Sequence, residues 1–236
     1  MIRLIAVELR KLADTRAGFW LLLITGLGTA GTSAIMLGWA PDNELTFAGF
    51  FAFGLVPPTF LLPVVGILSM TGEWSQRTAL TTFTLVPARG RVMAAKLAAG
   101  VLVAIATVAA TALLAAAATL LGGTGVWTIA GSLLWQALLL QILFVLMGMG
   151  FGALLMNSPL AISAFFLLPT IWAVLSESIR QLARAAEWLS LTLTTEALSE
   201  PSMTSGEYAR LAAAAGVWIA LPIVLGWWRV VRREVS

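Results

Sequence analysis

From Leu97 to Ser176 the chain carries not one Asp, Glu, Lys or Arg. No solvated surface tolerates such a run, whereas a bilayer interior demands one. A hydrocarbon core of ~30 Å takes about 20 residues of helix, so this run must hold several crossings. Those crossings must be helical, because lipid offers an unpaired backbone group no partner. Gly122, Gly123, Thr124 and Gly125 break the run once, and Asn157, Ser158 and Pro159 break it again. Further charge-free runs lie at 17–40, 45–72 and 211–228. The pattern predicts an all-α integral membrane protein, one transmembrane domain over residues 1–236, with six helices at about 17–38, 48–70, 93–121, 126–155, 160–176 and 211–229. With 60% hydrophobic and 11% charged residues, no soluble catalytic domain is expected beside the spans.

The charges predict an orientation. Arg3, Arg10, Lys11 and Arg16 precede span one, Arg77, Arg89, Arg91 and Lys96 separate spans two and three, and Arg229, Arg232 and Arg233 follow span six. The other side holds only Arg180, Arg184 and Arg210 among basic residues. Lysine and arginine are retained on the cytoplasmic side of short loops, which places both termini in the cytoplasm of a cell-membrane protein. No small-residue cleavage site precedes the first apolar run, so span one is expected to stay in place. Residues 2–14 read either as an amphipathic interfacial helix or as a charged topogenic tail. Residues 177–193 set Glu177, Arg180, Arg184 and Glu187 on one helical face against Ile179, Leu182, Ala186 and Leu189, predicting an outer amphipathic helix.

Several chemistries lack their residues. The chain has no cysteine and no histidine, which excludes disulfides, histidine- or thiolate-bound metals, axial haem histidine and His-based triads. The phosphate-loop pattern GxxxxGK[ST] is missing, and "GGTGVW" at 122–127 reads as a turn. The chain itself is therefore expected not to be an enzyme and to bind no cofactor. The interiors of the predicted spans offer no coupling carboxylate for a proton- or ion-driven carrier. Their polar groups are Gln136, Gln141 and threonines such as Thr107 and Thr111. Pro57, Pro58 and Pro63 are expected to kink or unwind span two, where Pro57 and Pro58, with Gln136 and Gln141, are candidates for a substrate path. Gly148 and Gly152 form a Gly-x-x-x-Gly pair suited to close helix packing, within one subunit or across a dimer.

One polar, basic segment stands out between spans two and three: "TGEWSQRTALTTFTLVPARGRVMAAK", residues 71–96. Glu73 to Leu85 is expected to form a short helix that Pro87 stops, with Glu73 and Arg77 spaced to support it by a few tenths of a kcal/mol. The segment resembles the cytoplasmic loop of type-2 ABC export permeases, in which a glutamate and an aromatic open a short helix followed by a proline, arginines and "AKL". It differs at Ser75, where many relatives carry a basic residue, and at Arg77, where they carry glycine. The likeness extends to the basic start, six spans, large outer loop before the sixth and short basic tail. It implies a coupling helix bearing Glu73, Trp74, Arg77 and Thr78, with Arg89 and Arg91 at its exit. It implies as well a partner ATPase that binds ATP and Mg, a second permease subunit (identical or paralogous), and export of an apolar or amphipathic drug, lipid or peptide by alternating access. Nucleic acid is not among the implied partners. The rival readings are a membrane assembly or immunity factor that only binds a partner, and an enzyme of lipid metabolism.

Overall fold

The computed structural model describes the backbone of residues 1–75 and 88–232, and the side chains of residues 1–73 and 88–232. Among them every regular element is helical. Helix α1 (Ile2–Asp14) precedes α2 (Arg16–Trp39), and Thr15 caps the second through its side chain. Span two is divided into α3 (Phe47–Gly54) and α4 (Val56–Ser75). Then come α5 (Arg89–Gly122), α6 (Gly131–Leu155) and α7 (Ser158–Ser178). Short helices α8 (Ala183–Leu189) and α9 (Leu191–Glu196) lead to α10 (Ser205–Ala215), a π-helical turn at Gly216–Ala220, and α11 (Leu221–Arg232). Six segments among the described residues are long and apolar enough to cross a membrane: Arg16–Trp39, Phe47–Glu73, Arg89–Gly122, Gly131–Leu155, Ser158–Ser178 and Ser205–Arg232. The chain is a multi-pass membrane protein.

Helix α6 is the axis of the bundle, packed on α4, α11 and α5. Its glycines allow this. A Cβ on Gly148 would strike the backbone of Pro63, and one on Gly152 would lie 2.9 Å from the Ile67 carbonyl oxygen. On the opposite face, a Cβ on Gly150 would meet Pro222 and Ile223 at 3.1–3.3 Å. The Gly-x-x-x-Gly pair thus serves packing within one subunit. In lipid, where apolar burial gives little drive, such backbone approach maximises dispersion contacts.

The proline pair breaks span two at Leu55. Pro57 and Pro58 lack the N–H groups that would bond the Phe53 and Gly54 carbonyls. Thr29 on α2 donates its hydroxyl to the Gly54 carbonyl at 3.1 Å, and Gln141 on α6 donates to Thr59 Oγ1 at 2.8 Å and to the Leu55 carbonyl at 3.4 Å. Pro63, by contrast, lies inside continuous α4.

Several boundaries differ from the sequence reading. Span two does not end near residue 70, since α4 runs on to Ser75; Glu73 therefore sits on the end of a span. Helix α5 begins at Arg89, which puts Lys96 two turns inside it. Span six begins at Ser205, earlier than hydropathy suggests, because Thr204 and Glu207 form a reciprocal capping box that fixes the helix start. The amphipathic stretch at 177–193 is not one helix: α7 ends at Ser178, and a 3₁₀ turn, α8 and α9 follow. Ser190 stops α8 in extended backbone and caps α9 through its hydroxyl, which explains the break.

The loops sort to two ends. At one, the 1–2 and 3–4 connections meet, with Thr124 N–H donating to Leu45 and Phe47 N–H to Val126. At the other lie α1, the ends of α4, α6 and α11, and the starts of α5 and α7. Met156, in left-handed conformation (φ 53°), turns the chain there from α6 into α7, whose start Asn157 caps.

Candidate functional site

The α1 end is built around four charges. Glu8 lies at mid-length on α1, one turn before Lys11, so both side chains share a face. That face turns inward: Glu8 and Leu12 are the buried residues of α1. Helix α1 packs on α5 and α2, bringing Glu8 to Lys96, 88 positions away in sequence. The end of α4 brings Glu73 to the same point.

The geometry is closed. Lys96 Nζ donates to Glu8 Oε2 at 2.7 Å and to the Ser69 carbonyl at 3.0 Å, and pairs with Glu73 Oε1 at 3.2 Å. Those three contacts match its three donors. Lys11 Nζ donates to Glu8 Oε1 at 2.8 Å and to Glu73 Oε1 at 2.9 Å. Each carboxylate thus meets both ammonium groups. Glu8, Glu73 and Lys96 are 7%, 8% and 6% exposed, so three of the four charges have left water. Burial lowers the Lys11 pKa, but hydrogen bonds to Glu8 and Glu73 and their charges outweigh it and hold it above the ordinary lysine value. Beside the cluster, Glu73, Lys96, Arg89, Met70, Val92 and Met93 help to line a cavity of about 20 Å³, room for one water.

Two neighbouring contacts tie further helices to this end. Thr71 Oγ1 lies 2.6 Å from Ser158 Oγ, joining α4 to the start of α7. Arg229 Nη1 donates to the Leu154 carbonyl at 2.6 Å, joining α11 to the end of α6.

Of the residues singled out by sequence, Glu73 is buried in the cluster, so its importance exceeds the few tenths of a kcal/mol expected from a spacing to Arg77. Arg89 is half-buried and donates to the Val230 carbonyl at 3.3 Å, and Arg91 is exposed in the first turn of α5. Arg77, Thr78, the Trp74 side chain and the rest of the expected coupling helix lie outside the described residues. The structure brings Gln141 to the broken helix at Pro57 and Pro58. Gln136, a turn and a half away on α6, is 1% exposed, and its Oε1, like that of Gln141, has no hydrogen-bond partner among the described residues.

Sequence reasoning missed Glu8, Lys11 and Lys96 as a site. The Glu8–Lys11 spacing signals a helix pair, but nothing local announces that it pairs again across the fold.

The cluster ties α1, α4 and α5 together through ion pairs of 2.7–3.2 Å. It is a joint: removing one member would strand buried charge, so the contacts hold these three helices to one another. No protein-family model and no curated protein matches the chain.

Proposed function

We propose that this chain is the membrane subunit of an ATP-driven exporter, energised by a separate ATPase that holds the ATP and Mg. The observation that carries this reading is the 71–96 segment itself. Its loop motif resembles the motor-facing loop of type-2 ABC export permeases, and its two ends, Glu73 and Lys96, pair directly with each other at 3.2 Å and with α1. A push on that loop therefore reaches three helices through one rigid joint. The site acts mechanically: the loop receives force, the joint distributes it, and the glycine-packed contacts of α6 with α4 and α11 carry it across the bilayer.

In this reading the α1 end faces the cytoplasm, as the basic residues gathered there favour. The subunit works as a dimer, with an identical or paralogous copy, and the substrate passes between subunits. An apolar or amphipathic drug, lipid or peptide suits spans whose polar groups are amides and hydroxyls, such as Gln141, Thr59 and Thr29, rather than charges. The break at Pro57 and Pro58 gives span two a flexing point beside them.

The test is co-purification with any ATP-hydrolysing subunit, with wild type beside Trp74→Ala. A tryptophan anchor in a desolvated contact is worth ~2 kcal/mol or more, so Trp74→Ala is expected to weaken association roughly thirtyfold while permease yield holds. A stable complex containing no ATPase, with its partner bound elsewhere, would support an assembly or immunity factor.

A further inference from the structure

The last span carries a feature the export reading does not use. On α11, Ile223, Val224, Trp227, Trp228, Val231 and Arg232 line an open furrow of about 360 Å³. Their spacing sets them along one side of a single helix, so the furrow runs with the helix axis, apolar for its length and basic at its end. Arg232 Cζ stands 4.9 Å from the Trp228 ring centroid, a cation–π stack that holds the guanidinium at the mouth of the furrow. Among the described residues no group accepts a hydrogen bond from Arg232 or pairs with it. Its donors are therefore positioned and available.

The surroundings are charged in one sense. The α1 end holds Arg3, Arg10, Lys11, Arg16, Arg89, Arg91, Lys96, Arg229 and Arg232 against Glu8, Asp14 and Glu73 among the described residues. Of those acids, Glu8 and Glu73 are engaged with Lys11 and Lys96. Arg89 reaches the α11 backbone at Val230, and Gly90 packs on Trp227, so the start of α5 adds its positive dipole and arginines to the same corner.

We infer that this furrow is a binding site for an anionic phospholipid of the surrounding bilayer, its acyl chain along Ile223, Val224 and Trp227 and its phosphate at Arg232. The furrow belongs to the end of the span Ser205–Arg232, where hydrocarbon gives way to headgroups, so its natural occupant has one apolar and one anionic part. A guanidinium fork matches a phosphodiester in charge and in donor geometry. A choline headgroup would set its own cation among the arginines, whereas a glycerol headgroup adds only hydroxyls. Selectivity for phosphatidylglycerol over phosphatidylcholine follows.

The experiment purifies full-length protein from bilayers of equal phosphatidylglycerol and phosphatidylcholine and counts retained lipids by native mass spectrometry. Wild type is expected to retain phosphatidylglycerol about fivefold over phosphatidylcholine, the worth of one interfacial arginine. Arg232→Gln should bring the ratio near parity, and Trp228→Ala should lower phosphatidylglycerol retention. Arg210→Gln, altering the basic residue in α10 at the opposite end of span six, should leave the ratio unchanged. Arg232 and Trp228 are exposed, so both variants should elute as wild type. Equal retention of the two lipids by wild type, or an undiminished preference in Arg232→Gln, overturns the assignment. So does displacement of the lipid by free glycerol phosphate, which would show that the acyl chain is not held.

Discussion

Replacing Lys96 by methionine keeps the aliphatic stem and removes one charge from the centre of the buried joint. The lysine faces carboxylates at 2.7 and 3.2 Å. With an effective dielectric near 20, a unit pair at about 3 Å is worth ~5 kcal/mol before desolvation is counted. Regained solvation cannot offset this fully, because Glu8 and Glu73 stay buried with only Lys11 between them. Truncating one partner of such a pair costs about 3–5 kcal/mol net. For a chain of this size each kcal/mol moves the melting temperature by roughly 2–4 °C, so a fall of about 10 °C is expected. The assay is thermal unfolding of detergent-purified protein followed by size exclusion. A cycle with Glu8→Gln should show coupling of at least ~1 kcal/mol, since the double variant removes one charge of each sign. A melting temperature within 2 °C of wild type in Lys96→Met, or strictly additive effects in the cycle, would refute the joint and with it the route from loop to α1.

Lys11, whose side chain is 41% exposed, should matter less: screening by water limits Lys11→Met to about 1 kcal/mol. Because its folded pKa is raised, the stabilisation it gives is fully present below the ordinary lysine value and is lost as pH rises through the raised one; wild type should lose its advantage over Lys11→Met only in that alkaline window. Gly148→Val should abolish monodisperse protein, because its Cβ meets the Pro63 backbone, while Gly26→Val, with nothing within 4 Å, should be tolerated; equal behaviour of the two would contradict α6 as the packing axis. The chain lacks cysteine, so single cysteines report without background. Asn43→Cys and Ser199→Cys should react with an impermeant reagent from outside sealed cells and Ser75→Cys should not; labelling at Ser75 would reverse the proposed orientation.

The spans were legible in the sequence because the bilayer imposes a one-dimensional rule: enough consecutive apolar residues to cross, with nothing charged between. That rule located all six crossings, and proline and glycine chemistry located the breaks at Leu55, Gly122 and Asn157. Local capping, by contrast, decided where span six starts and why residues 177–193 divide, and hydropathy does not register a Thr204–Glu207 box or a Ser190 cap.

The joint was not legible at all. Residues 2–14, with Glu8 and Lys11, read as an interfacial helix or a topogenic tail, Glu73 as the start of a short helix beyond span two, and Lys96 as one positive charge between spans two and three; no local reading places the four together. Only when α1 lies across α5 and α4 continues past Gly72 do four charges from three helices fall within 3.2 Å contacts and leave water together. Hydrophobic length acts residue by residue along the chain, so composition reveals it. A buried ion cluster depends on helix crossing and register, which the glycine faces of α6 and the proline break of span two help to set, and those are properties of the packed fold.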